Sequence, residues 1–269
     1  MKRISLTVTL LTASLGVATA DSWPLKDMNR TIEQTNFVVA RGCSGTLISL
    51  SAKLVLTNYH CIDDMVGSAE REVVGEDGAV KKVKIRKYND VPVEQHRYDG
   101  FTRVGSSSYI AEIVAESKTS DLAVIKLKGA IPQTYATPLL PDDKSVVRGE
   151  VVYIVGNPLG EDASVVQGIV SNVNRSFDFP WTDGARLPMI QMSGGTIGGN
   201  SGGALYNIRG ELIGVPAAAV RGAVHLGYAI PMEVVKPFLR DNCLASAFDP
   251  AADDAACKAD KAKAKKKDE

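Results

Sequence analysis

Several things are scarce in this chain, and each scarcity removes a class of function. Its 31 basic residues are matched by 31 acidic ones, and without Lys2 and Arg3 the balance is 29 to 31, so no basic surplus points to nucleic acid. Beyond the first twenty residues there is no apolar run long enough to span a bilayer. Histidine occurs only as His60, His96 and His225, so the candidates for a general base are few. Helical periodicity is almost absent, and no internal repeat is visible. Cysteine is limited to Cys43, Cys61, Cys243 and Cys257. An even number favours disulfides over metal ligands in an exported chain, and four allow three pairings.

Export is suggested by the start of the chain. Lys2 and Arg3 precede an apolar run from Ile4 to Val17 and then Ala18-Thr19-Ala20, the charged, apolar and small-residue plan of a secretory signal. Residues 1–20 are therefore expected to be removed after Ala20. The mature protein would be periplasmic or secreted, with no transmembrane segment. Residues 21–35 read as a polar, extended arm.

From Asn36 the pattern changes to short β-rich runs separated by Gly and Asn, which predicts an all-β sandwich or barrel. The polar span from Asp63 to Ser120 predicts two or three strands and a long excursion near Tyr88 to Ser108. Residues Ile131 to Arg148, with three prolines, read as a connector between two halves. Pro231 opens a segment with Val234, Val235, Phe238 and Leu239 at helical spacing, which predicts a helix over about 231–243. Residues 245–269 are rich in Ala, Asp and Lys and read as a disordered, solvated tail.

The chemistry gathers around Ser193-Gly194-Gly195-Thr196-Ile197-Gly198-Gly199-Asn200-Ser201-Gly202-Gly203, a serine among six glycines. Glycine lets backbone N–H groups converge, so the amides of Gly199 and Ser201 can be aimed at a developing oxyanion. Such loops also make tight turns or cradle phosphates, so a base and a carboxylate must be found elsewhere. His60 ends the strand-like run from Leu54, with Cys61 beside it and Cys43 in the preceding run. A Cys43–Cys61 bridge would tie those runs together and leave Cys243 and Cys257 to pair, or to remain thiols. Asp121 stands at the mouth of the apolar run Leu122 to Leu127.

The order His60, Asp121, Ser201 is that of chymotrypsin-like enzymes. Thr57-Asn58-Tyr59-His60-Cys61, Ser120-Asp121-Leu122-Ala123 and Gly199-Asn200-Ser201-Gly202-Gly203 resemble the motifs of trypsin-like serine peptidases, in the flavour of the bacterial Deg/HtrA branch. Val155 to Gly160, Gly168 to Ser171, Gly210 to Gly214 and Gly227 to Pro231 add to the likeness, which covers about Asn36 to Leu239. It implies a peptidase domain over 36–244 with two packed six-stranded antiparallel β-barrels, about 36–130 and 148–232. The resemblance implies a catalytic triad of His60, Asp121 and Ser201 and an oxyanion hole of the Gly199 and Ser201 amides. No metal or organic cofactor is needed. The implied activity is that of an exported serine endopeptidase, and the rival is a peptide-binding or holdase-like protein with a resting or inactive cleft.

Departures from the family carry information too. Asn200 replaces an aspartate that in digestive relatives pairs with a freshly cut N-terminus, so zymogen-type activation is not expected. With the chain ending soon after the helix, no PDZ module of the kind many Deg relatives carry is expected. The pocket residues implied by the family pattern are Gly195, Thr196, Val215 and Gly227. An aspartate at position 195 would select Lys or Arg, so small or medium apolar residues are expected at the cut site instead. Partners are protein or peptide substrates; a monomer is expected, with oligomers left open.

Overall fold

The computed structural model describes residues 25–74, 80–100, 102–142, 144–194, 196–219 and 226–265. The signal-like residues 1–20, Gly195 and His225 lie outside them. Strands are β1 Asn36–Val39, β2 Cys43–Ser49, β3 Leu54–Thr57, β4 Val66–Val74, β5 Val80–Tyr88, β6 Val91–Asp99, β7 Thr102–Ser117 and β8 Leu122–Leu127, then β9 Val151–Gly156, β10 Ser164–Asp178, β11 Arg186–Met192, β12 Ala204–Asn207, β13 Leu212–Ala219 and β14 Gly227–Pro231. The helices are α1 Leu25–Thr35, α2 Met232–Asp241 and α3 Asp254–Lys265. The strands close two barrels, in the orders β1-β2-β3-β8-β7-β6 and β10-β11-β14-β13-β12-β9, with every strand pair antiparallel. The expected all-β, two-barrel class is what the chain adopts.

The period-2 alternation of β3 and β8 explains how the barrels meet. Val55, Ala123, Ile125 and Leu127 fill the first barrel together with Phe37, Val39, Leu47 and Val91. Leu54, Leu56, Leu122 and Val124 point the other way and join the core of the second barrel. Both faces of these strands are therefore buried, at about 1.5–3 kcal/mol for each large apolar side chain. Since His60 follows β3 and Asp121 precedes β8, this packing puts both at the junction between the barrels.

Polar pins cross the same junction. Asn157 after β9 is buried; its Oδ1 accepts from Asn36 Nδ2 at 2.9 Å, and its Nδ2 donates to Phe37 O at 2.9 Å.

Three expectations are corrected. The span 63–120 holds four strands: β6 and β7 form a long hairpin that belongs to the first barrel, and β4 and β5 a separate two-stranded ribbon. The hairpin is hard to read from pattern because the inward row Val91, Val93, Gln95 ends in a polar residue and the neighbouring His96, on the opposite side, is buried as well; Gln95 is made tolerable by donating to Glu33 O at 2.8 Å.

The N-terminal arm is not extended but helical. In α1, Met28, Thr31 and Thr35 make the buried stripe, and the two threonine hydroxyls donate to carbonyls four residues earlier at 2.8 and 2.7 Å. A stripe built partly of threonine is invisible to hydropathy.

The tail is ordered as far as Lys265. Asp253 Oδ1 caps α3 by accepting from Ala256 N at 2.9 Å, Ala and Lys favour helix, and a Cys243–Cys257 disulfide ties α3 to the end of α2. Lys236 and Arg240 of α2 pair with Asp142 of the connector at 2.5 and 2.8 Å and also stack over Phe248. No described helix is long and apolar enough to cross a membrane.

Candidate active site

His60 sits in a single 3₁₀ turn, Tyr59–Cys61, directly after β3. The turn is held from two sides. Cys61 is bridged to Cys43 of β2, and Asn58 Nδ2 donates to the Asp121 carbonyl at 2.9 Å. The sulfurs of Cys43 and Cys61 lie close to the imidazole, but once bridged they are no metal ligands.

Asp121 closes the tight turn between β7 and β8 with φ of 50°, a left-handed conformation that aspartate tolerates better than most residues. Its carboxylate is 1% exposed, so every lone pair needs a donor. Oδ1 accepts from the His60 backbone N–H at 3.0 Å. His60 Nδ1 lies 3.0 Å from Oδ1 and 2.9 Å from Oδ2. Oδ2 also accepts from Trp181 Nε1 at 2.9 Å.

Ser201 lies in the turn between β11 and β12, packed against the same corner of the first barrel. Gly202 has φ of 81°, and a Cβ there would fall 2.2 Å from Thr57 Oγ1 and 2.3 Å from Ser44 O. Only glycine lets this loop approach so closely. Ser44 N–H donates to Ser201 O at 2.8 Å. Ser201 Oγ donates to Ala217 O at 3.4 Å, and it makes no hydrogen bond to His60.

The preceding peptides are held just as firmly. Gly199 has φ of 103°, and a Cβ on it would meet Asn157 O at 2.4 Å and Leu159 N at 2.5 Å. Gly198 O accepts from Leu159 N at 2.7 Å, and Gly199 O accepts from Ser44 Oγ at 2.7 Å. A planar trans peptide sends its N–H opposite to its carbonyl, so anchoring Gly198 O fixes the direction of the Gly199 N–H. Among the described residues the N–H groups of Gly199 and Ser201 donate to nothing. Two free donors beside a serine hydroxyl can stabilise an oxyanion.

Of the residues expected in a specificity pocket, Thr196 and Gly227 meet: a Cβ on Gly227 would be 2.2 Å from Thr196 Oγ1. Among the described residues that hydroxyl is buried without a partner. Val215 is fully buried in the second barrel's core, opposite Ile230, and so lies behind the pocket surface rather than on it. His96 is remote in role: it faces Glu94 and Asp162 at 3.6 and 3.7 Å, and burial, followed by the Arg103 charge, pushes its imidazole below the ordinary value. Three site residues escaped the sequence reading. Ser44 had only its place beside Cys43 as a signal, Asn157 was visible as part of a motif without a role, and Trp181 gave none.

Residues 43–215 match the family described as trypsin-like peptidase domain. The serine protease Do-like HtrB of Bacillus subtilis is 36% identical over 134 residues, covering 48% of this chain and 29% of that one. HhoA of Synechocystis, named a serine protease, is 33% identical over 195 residues, covering 72% of this chain and 41% of that one. The chain thus spans less than half the length of these relatives. In fold it resembles the serine endoprotease from Yersinia pestis, with a TM-score of 0.55, 23% identity and coverage of 80% and 64% of the two chains. An HtrA-type protease with a tripeptide gives 0.57, 22%, 81% and 62%. By its matched domain, its two barrels and these relatives, the chain belongs to the trypsin-like peptidase family, with HtrA-type serine proteases among its kin.

Proposed function

We propose that this protein is an exported serine endopeptidase that hydrolyses peptide bonds of proteins through an acyl-enzyme. The observation that carries this reading is the buried Asp121 carboxylate hydrogen-bonded to His60 Nδ1, beside a loop that leaves the Gly199 and Ser201 amides free. Asp121 holds the imidazole in the tautomer whose Nε2 accepts a proton, and it stabilises the imidazolium that results.

Catalysis starts when the Ser201 hydroxyl leaves Ala217 O and gives its proton to His60 Nε2 as Oγ attacks the scissile carbonyl. The oxyanion is received by the Gly199 and Ser201 N–H groups, each worth about 3–4 kcal/mol of transition-state stabilisation. His60 then returns the proton to the leaving amine, and water releases the acyl group. Thr196 and Gly227, which meet, belong to a primary pocket whose residues carry no charge, which suits small or medium apolar residues. Residues 1–20 direct export, and the mature protein acts as a monomer on protein or peptide substrates.

The test is labelling of the purified protein by a fluorophosphonate serine probe, followed by a peptide-library cleavage profile. Wild type is expected to label and Ser201→Ala to stay blank. No labelling of folded wild type, with or without unfolded protein present, would overturn the reading.

A further inference from the structure

The hairpin between β10 and β11 crosses from the second barrel to the catalytic corner of the first, and Trp181 at its tip is the side chain that arrives. Its Nε1–H donates to Asp121 Oδ2 at 2.9 Å, and its ring lies over His60 with centroids 5.1 Å apart at 48°. We propose that Trp181 is a positioning residue for the His60–Asp121 pair, a role that rests on the serine peptidase reading above.

The case is geometric. Two donors other than the imidazole grip the carboxylate, one at each end: the His60 backbone N–H on Oδ1 and the Trp181 indole on Oδ2. Together they set the plane of the carboxylate, so that both oxygens face His60 Nδ1 at nearly equal distance. Without the indole, Oδ2 loses its second donor in a site that is 1% exposed, where water offers little replacement. The carboxylate is then free to turn about its Cβ–Cγ bond, and the imidazole turns with it. The ring of Trp181 also covers one side of His60, which restricts rotation of the imidazole away from its partner.

The indole is itself held in place. Phe179 stacks on it at 5.1 Å with an interplanar angle of 10°, and Phe177 continues the row to Tyr228 at 4.6 Å. Thr182, fully buried, closes the tip: its hydroxyl lies 2.9 Å from the carbonyls of both Phe179 and Ala185, to one of which it donates, and it accepts from Phe179 N at 3.1 Å. Asp183 pairs with Lys118 at 2.6 Å, next to the turn that carries Asp121. A side chain fixed by its own supports before substrate arrives is what positioning requires.

Trp181→Phe keeps an aromatic ring over His60 and removes only the donor. Its kcat on a peptide substrate is expected to fall about ten- to a hundredfold, the size carried by one hydrogen bond to an ionised group, with KM within about twofold. A role in packing alone would lower the melting temperature and leave kcat unchanged. Folded Trp181→Phe with wild-type kcat therefore overturns the proposal.

A second measurement needs no turnover. The chain has two tryptophans, so wild type gives two indole N–H resonances, and Trp23→Phe identifies that of Trp181. That proton is expected to be shifted to low field and protected from exchange with water. Exchange at the rate of a free indole overturns the contact even if Trp181→Phe fails to fold. Should wild type neither label nor cleave while the indole is protected, the peptidase reading fails and the contact stands.

Discussion

Ser44→Ala tests how the two barrels hold the Ser201 loop. The Ser44 hydroxyl, fully buried, donates to Gly199 O and accepts from Asn157 N, both at 2.7 Å, with Asn157 Nδ2 at 3.2 Å. Alanine leaves the half-buried Gly199 carbonyl and the buried Asn157 amide without this partner. An unsatisfied buried group costs about 1–3 kcal/mol, so a loss of about 2–4 kcal/mol is expected. The urea midpoint should fall accordingly, with an unchanged slope. Freed from Ser44, the Gly199 peptide can turn, and the oxyanion donor proposed above is then partly lost. Complete loss of such a donor costs a factor of about 10²–10³, so the rate of fluorophosphonate labelling should drop by up to that amount. A variant within about 0.5 kcal/mol of wild type that labels at the wild-type rate would refute the bridging role of Ser44.

Two further outcomes follow from the structure. Replacing Cys43 and Cys61 together by serine opens a bridge of sequence separation 18, which should cost about 3 kcal/mol in urea unfolding, with a fall in labelling as the His60 turn loosens. Equal stability with and without the bridge would count against it as a restraint. Tyr206, fully buried against Thr137 and Thr35, has its phenol pushed up to about 12 from an ordinary 10 by burial. A raised folded-state value means that its contribution is fully present below pH 10 and is lost as pH rises from 10 to about 12. The loss of stability over that window should be shallower in Tyr206→Phe, and an identical slope in both proteins would contradict the assignment.

Much of the molecule was legible from local pattern alone. Short alternating runs specify strands because side chains on a strand point to opposite faces, and the glycines around Ser201 declare a loop in close approach to other backbone. The order of His60, Asp121 and Ser201 along the chain points to the chemistry proposed above. What failed to show were polar residues whose hydrogen-bond or disulfide partners let them be buried or held in a helix. The buried threonines of α1 look polar until their hydroxyls are seen to bond to their own helix. The tail looks like a solvated, low-complexity segment until Cys243 and Cys257 and the Asp253 cap hold it.

The sequence by itself determined most strands, the helix α2 and the all-β class, because those depend on local periodicity and residue type, while the two-barrel arrangement came from the resemblance of its motifs to trypsin-like peptidases. The tertiary structure alone decided which groups meet at the junction. Ser44 comes within reach of Gly199 across 155 positions, and Trp181 reaches Asp121 across 60. The physical reason is that a hydrogen bond depends on ångström-scale distance and direction, and only the closed barrels and their shared core establish these between residues so far apart in the chain.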